Sequence, residues 1–325
     1  MIYYPMLLKA VPKNIIWGGD RLKRLYNKVA PFSNIAESWE LTVREDGMSV
    51  IAGGEYDGMS VSELIKAFPE ALGTTVRNDF PLLIKFIDAA RDVSVQVHPD
   101  DAYAAAHETD NGKTEMWYVL DADEDAEIIY GCAEGITDNE LKNGIKTSEL
   151  SRVLRRIKVS AGDVYFIPAG QVHALCHGVL IAEIQQNSNI TYRIYDYDRV
   201  DAIGKKRELH ISKALDTVMC YSSADIENMR FSGKFGRRAR HSDFKIIADC
   251  EYFRVSYIEC KDGVQATFTV DEKSFAHLLF TDAENAELVV GGRSANVRAG
   301  ESYFIAANSG QVTLRGRCRA LLSEP

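Results

Sequence analysis

The sequence predicts a mainly β protein: a sandwich or barrel with a few helices, followed by a second β lobe at the C-terminal end. Three observations carry this. Short β-branched or aromatic runs recur, as at 82–87, 93–98 and 191–195, with Gly, Asp and Asn between them. Helical periodicity is scarce. Finally, AGDVYFIPAG at 161–170 is echoed by AGESYFIAAN at 299–308. Extending the echo without gaps puts Gln311 where the first copy has His173. The second copy is therefore expected to repeat the β-fold without the first copy's polar chemistry. The expected domains are 1–235 and 243–325.

The few helices have local signals. Ser60 and Glu63 form a capping-box pattern that opens a helix over 63–72, and Thr137 and Glu140 open another that Gly144 is expected to interrupt. Further helices are expected at 100–107, after Pro99, and at 210–219. Residues 222–242 have weak periodicity and a basic cluster at 237–240, so they read as a linker with a solvated face.

Composition narrows the function. The chain has 325 residues, 46% of them hydrophobic, with a formal net charge of −9. That is ample core material for two lobes. The acidic balance argues against nucleic-acid binding, and no apolar run is long enough for a membrane helix. The first residues, MIYYP, lack a secretory pattern, so a cytoplasmic location is expected. The six cysteines form no C-x-x-C pair and are expected as free thiols.

The chemistry-bearing residues fall in three segments. Strand alternation puts Ser94, Gln96 and His98 on one face and Val93, Val95 and Val97 on the other. A loop then leads to Lys113, Glu115 and Trp117, again on one face. The third segment is Gly162-x5-Pro168-x-Gly170-x2-His173, a tight turn that launches His173. It resembles the second motif of the cupin fold, except that His177 stands where that motif ends in Asn. Gln96, His98, Glu115 and His173 together offer two imidazoles and two oxygen donors, a set that suits zinc or a similar divalent ion.

The run Ser94-Val95-Gln96-Val97-His98-Pro99-Asp100 followed by Gly112-Lys113-Thr114-Glu115 resembles the type I mannose-6-phosphate isomerase signature, in its short bacterial form. Residues 35–40 (IAESWE) and 189–199 (NITYRIYDYDR) match it as well. The resemblance implies a cupin-type jelly-roll barrel with a degenerate cupin-like C-terminal lobe. It also implies one zinc ion per chain on Gln96, His98, Glu115 and His173, with Arg193 catalytic. The implied reaction is exchange of mannose 6-phosphate and fructose 6-phosphate.

Aldose–ketose exchange moves a proton between C1 and C2 through an enediol or enediolate. Lys113, beside the ligand Glu115, and Arg193, on a face with Thr191 and Tyr195, can stabilise the developing oxyanion. Glu183, or a zinc-bound water, is the candidate base; the other reading makes Glu183 a group that orients His173 or Arg193. Lys85 and Ser94 are candidates for the substrate's phosphate, because each is a polar residue on a core strand. His177 is a possible support for the site, while His107, His210, His241 and His277 lie in no motif. The expected partner is a small sugar phosphate. A monomer is expected, with a dimer left open. A non-enzymatic sugar-binding cupin would not need both Lys113 and Arg193, and an iron or manganese dioxygenase cupin would not favour Gln96.

Overall fold

The computed structural model describes residues 1–76, 79–200, 203–233 and 244–325. It is mainly β, as the alternation predicts. Two antiparallel sheets face each other in the first lobe. One has six strands, in the order Val164–Ile167, Glu115–Ala122, Val179–Gln186, Leu82–Ala89, Glu37–Leu41 and Val11–Lys13. The other has five, in the order Leu154–Lys158, Glu127–Cys132, His173–Leu175, Val95–Val97 and Tyr192–Tyr195.

Alternation explains what each face does. Leu82–Ala89 is buried at every position. Leu82, Ile84 and Phe86 enter a core shared with Leu279, Phe304 and Leu321 of the C-terminal lobe. Burial of each such side chain contributes about 1.5–3 kcal/mol. Lys85, one residue out of phase, faces the interior between the two sheets, beside Glu183. A charged pair thus sits in the middle of two fully buried strands.

The C-terminal lobe is β-rich around its own core of Leu278, Phe280, Leu288, Ile305, Val312 and Leu322. Its two longest strands, Ala276–Val290 and Gly310–Glu324, pair through two register irregularities that bend the ribbon. Met6–Lys9 and Val50–Ala52 extend the same nine-stranded sheet.

The internal echo appears in the backbone. Gly162 N donates to Val119 O at 2.8 Å, and Val119 N donates to Asp163 O at 2.9 Å. In the second copy Gly300 N donates to Phe280 O at 2.8 Å, and Phe280 N donates to Glu301 O at 2.9 Å. Both glycines have positive φ, 94° and 85°, the region that glycine enters without a Cβ clash. Tyr165 and Tyr303 each donate a hydroxyl hydrogen to the acidic residue two positions earlier.

Several expectations need correction. The helix opened by Thr137 runs unbroken over Asp138–Thr147. Gly144 serves packing there, since a Cβ would lie 2.7 Å from Val153. The helix expected at 63–72 divides into Val61–Ala67 and a 3-10 turn, Pro69–Leu72, because Pro69 interrupts the α-helix. Ser223–Arg230 is a helix with its own capping box, Ser222 and Asp225, where a linker was expected. Cys132 and Cys220 are joined in a disulfide across 88 residues, with Cα atoms 5.6 Å apart, so they are not free thiols. Cys176, Cys250, Cys260 and Cys318 are free and buried. The basic cluster 237–240, His241 and the boundary expected at 243 lie outside the described residues.

Candidate metal centre and active site

The facing sheets bring His98, Glu115 and His173 together, with their potential ligand atoms all within 4.8 Å of one another. Each residue is at most 1% exposed. Glu115 opens its strand in the six-stranded sheet, while His173 belongs to the five-stranded sheet and His98 directly follows Val95–Val97. Gly170, with φ of 88°, sets the turn before His173, as the Pro-x-Gly pattern predicts. A Cβ at Gly170 would meet Thr217 O at 3.0 Å.

Hydrogen bonds define both imidazoles. His98 Nδ1 lies 2.8 Å from Ile190 O, and His173 Nδ1 lies 2.9 Å from Gln171 O. A carbonyl only accepts, so each Nδ1 carries the proton and each Nε2 presents a lone pair. His98 Nε2 is 3.5 Å and His173 Nε2 3.3 Å from the Glu115 oxygens. Those oxygens and His98 Nε2 are buried and accept no protein hydrogen bond of good geometry, although Lys113 forms an ion pair with one of the oxygens. Lone pairs converging in a buried space call for a cation between them, and a divalent ion fits this donor set.

Electrostatics point the same way. Burial holds His98 well below its usual value and lowers His173 to about 4, so both imidazoles are neutral, the form that can ligate a metal. Burial, with help from the charge of Glu183, pushes Glu115 up to about 7 against the pull of Lys113. A cation there favours its charged form. Lys113 Nζ is 3.1 Å from Glu115 Oε2.

Gln96 is the direct cross-strand partner of His173. Its Nε2 is 3.3 Å from His173 Nε2, and Ser94 Oγ donates to its Oε1 at 3.3 Å. Lys85 Nζ lies 3.3 Å from Glu183 Oε1 and 3.6 Å from Glu37 Oε2. Trp117 Nε1 donates to Glu183 Oε2 at 3.0 Å, and Trp39 Nε1 to Glu37 Oε2 at 2.7 Å. Burial alone would raise Glu183, but Lys113, Lys85 and Trp117 outweigh it and hold the carboxyl below its usual value.

A cavity of about 340 Å³ opens on this group, lined in part by Lys85, Ser94, Gln96, Lys113, Glu183 and Arg193. Six of the nine residues singled out from sequence thus line this cavity, and the other three, His98, Glu115 and His173, adjoin it through Gln96 and Lys113. Tyr195 does not join them: a register irregularity separates it from Arg193 and leaves it 36% exposed. His177 is at the surface, paired with Asp92, and gives the centre no support. Sequence reasoning gave no role to Glu37, Trp39 or His210. Glu37 and Trp39 belong to the IAESWE segment, which was the available signal. His210 N donates to Arg193 O at 2.8 Å, and Arg193 N donates to His210 Nδ1 at 3.2 Å.

The fold and the centre define a cupin-type β protein with a buried site able to hold a metal ion. Residues 6–138 match the family model for the catalytic domain of type I phosphomannose isomerase, and 243–325 match that for the mannose-6-phosphate isomerase cupin domain. The chain belongs to the type I phosphomannose isomerase family. It is 34% identical over 323 residues to the probable mannose-6-phosphate isomerase GmuF of Bacillus subtilis, covering 99% of each chain. It is 45% identical over 215 residues to mannose-6-phosphate isomerase ManA of the same organism, covering 66% of this chain and 68% of that one. A crystal structure of the mannose 6-phosphate isomerase from Bacillus subtilis superposes with a TM-score of 0.87 at 34% identity, covering 98% of this chain and 99% of that one. No helix among the described residues is long and apolar enough to cross a membrane.

Proposed function

We propose that the chain interconverts mannose 6-phosphate and fructose 6-phosphate through an enediolate, with one zinc ion held by His98, Glu115, His173 and Gln96. The observation that carries this is the convergence of the buried His98, Glu115 and His173 donor atoms beside the cavity that Gln96, Lys113, Glu183 and Arg193 line. As a zinc ligand, Gln96 presents its carbonyl oxygen, which a half-turn of its amide brings toward His173. Ser94 can hydrogen-bond either orientation.

When bound, zinc supplies Lewis-acid polarisation of the sugar oxygens. Glu183, kept ionised by Lys85, Lys113 and Trp117, is the base that takes the proton at one carbon and returns it at the other. Lys113 and Arg193 place positive charge where the enediolate oxygens develop negative charge. Trp117 fixes the carboxylate's direction. Lys85 and Ser94, both within the buried inner end, contact the sugar portion of the substrate.

The test is a coupled assay of purified protein with mannose 6-phosphate. The reading expects fructose 6-phosphate to form. Zinc-loaded protein that produces none would refute it.

A further inference from the structure

The cavity has a second charged end. Arg193, Arg199 and Arg207 crowd around one carboxylate, Asp196, which is 5% exposed. Arg207 grips it with two donors: Nε to Oδ2 at 2.7 Å and Nη2 to Oδ1 at 2.5 Å. Arg199 Nη2 shares Oδ1, while its Nη1 donates to Asp92 O. Arg193 Nη1 donates to Glu208 O at 2.8 Å, and its Nε is buried without a hydrogen-bond partner. Glu208 also draws on Arg193 but is itself exposed.

Three guanidiniums against one buried carboxylate leave uncompensated positive charge. Arg199 and Arg207 lie close enough to Arg193 for their charges to act on it, and Arg193 Nε has no hydrogen-bond partner to offset them. An anion arriving here relieves that repulsion. The inner end behaves differently, since Lys113 is taken by Glu115, and Lys85 by Glu183 and Glu37. Those carboxylates would repel a phosphate dianion.

Arg193 and Arg207 line the cavity; Arg199 does not. Arg193 is the cross-strand partner of Gln96, so it adjoins the metal-ligand group. Asp196 engages only the Nε and Nη2 side of Arg207, and Nη1 takes part in no hydrogen bond among the described residues.

Resting on the sugar-phosphate reading above, we infer that Arg207 binds the substrate's phosphate from the outer end of the cavity. Asp196 is a positioning residue that presents the guanidinium, with Arg199 holding Asp196 in turn. A guanidinium fork matches phosphate oxygens, and a rigid carboxylate behind it lowers the cost of ordering it. The sugar then spans from Arg207, past Arg193, to the metal centre.

The experiment compares Arg207→Gln and Arg207→Lys with the parent protein. Steady-state kinetics use mannose 6-phosphate, and inorganic phosphate binding is measured by calorimetry. Arg207→Gln is expected to raise KM about tenfold or more with kcat nearly unchanged, and to weaken phosphate binding similarly. Arg207→Lys should recover part of both losses, and Asp196→Asn should fall between. Unchanged KM and phosphate binding in a folded Arg207→Gln variant would overturn the inference, as would a fall in kcat alone. A parent protein that binds phosphate through Arg207 but forms no fructose 6-phosphate would sink the isomerase reading and leave the anion site standing.

Discussion

Gln96 and His173 face each other as a single antiparallel register pair, and the Gln96 amide nitrogen comes within 3.3 Å of His173 Nε2. With Nδ1 of His173 donating to Gln171 O, the facing Nε2 is an acceptor. The same neighbourhood can therefore hold a hydrogen bond without metal or a coordination bond with it. Gln96→Ala is expected to weaken zinc binding by at least about tenfold, the lower end for losing a supporting group around a metal. His98→Ala should leave less than one metal per chain. Competition against a chelator measures both. Zinc held as tightly by Gln96→Ala as by the parent would remove Gln96 from the ligand set.

Glu183 and Lys85 are direct cross-strand partners that form an ion pair through Glu183 Oε1, and Trp117 donates to the carboxylate's other oxygen. Glu183→Gln should lower kcat by about 10²–10⁴-fold, the range for losing a positioned base. Metal content should stay at one per chain. The readout is exchange of the substrate's C2 hydrogen with solvent. Exchange at the parental rate would place the base elsewhere.

Arg193→Ala is expected to leave zinc bound and to cut kcat by about 10²-fold or more, as when one oxyanion-stabilising donor is lost. A parental kcat with a raised KM would assign Arg193 to phosphate binding instead. No change in either constant would make it structural.

His277 lies in the C-terminal lobe, fully buried, with no protein hydrogen-bond partner at either ring nitrogen. Burial, with the charge of Lys28, lowers its pKa from 6.5 to about 3. The unfolded chain therefore binds an extra proton between those values. Stability falls as pH drops below 6.5 and is insensitive to this group above it. His277→Leu should remove about 2 kcal/mol of the parent's loss between pH 7 and pH 5. Denaturant unfolding at both pH values measures this. An equal pH dependence in parent and variant would contradict it.

Much of the fold and the centre was legible because alternation is a local rule. It put Gln96 with His98, and Lys113 with Glu115, on common faces. The Pro168 and Gly170 turn marked where His173 begins. What escaped depended on long-range or irregular geometry. The Cys132–Cys220 pairing joins segments 88 residues apart with no spacing signal. Tyr195 left its expected face through a register irregularity that alternation cannot anticipate. Lys85 was singled out as a core polar residue, but its carboxylate partners lie on two other strands. The Ser223–Arg230 helix is capped by Ser222 with Asp225, where the more familiar pattern has Glu or Gln. Arg207 and Asp196 meet only because the chain folds back between them.

The most direct test of the central claim is the rate of fructose 6-phosphate formation from mannose 6-phosphate, measured on one preparation in three states. These are as purified, after complete chelation, and after zinc is restored to one ion per chain. The account predicts activity in the first state if metal is retained, near-complete loss in the second, and recovery in the third. Glu115→Gln should fail to recover, because it removes the carboxylate at the centre of the ligand group. Full activity in protein shown to be metal-free, or none in protein shown to carry one zinc, would contradict it.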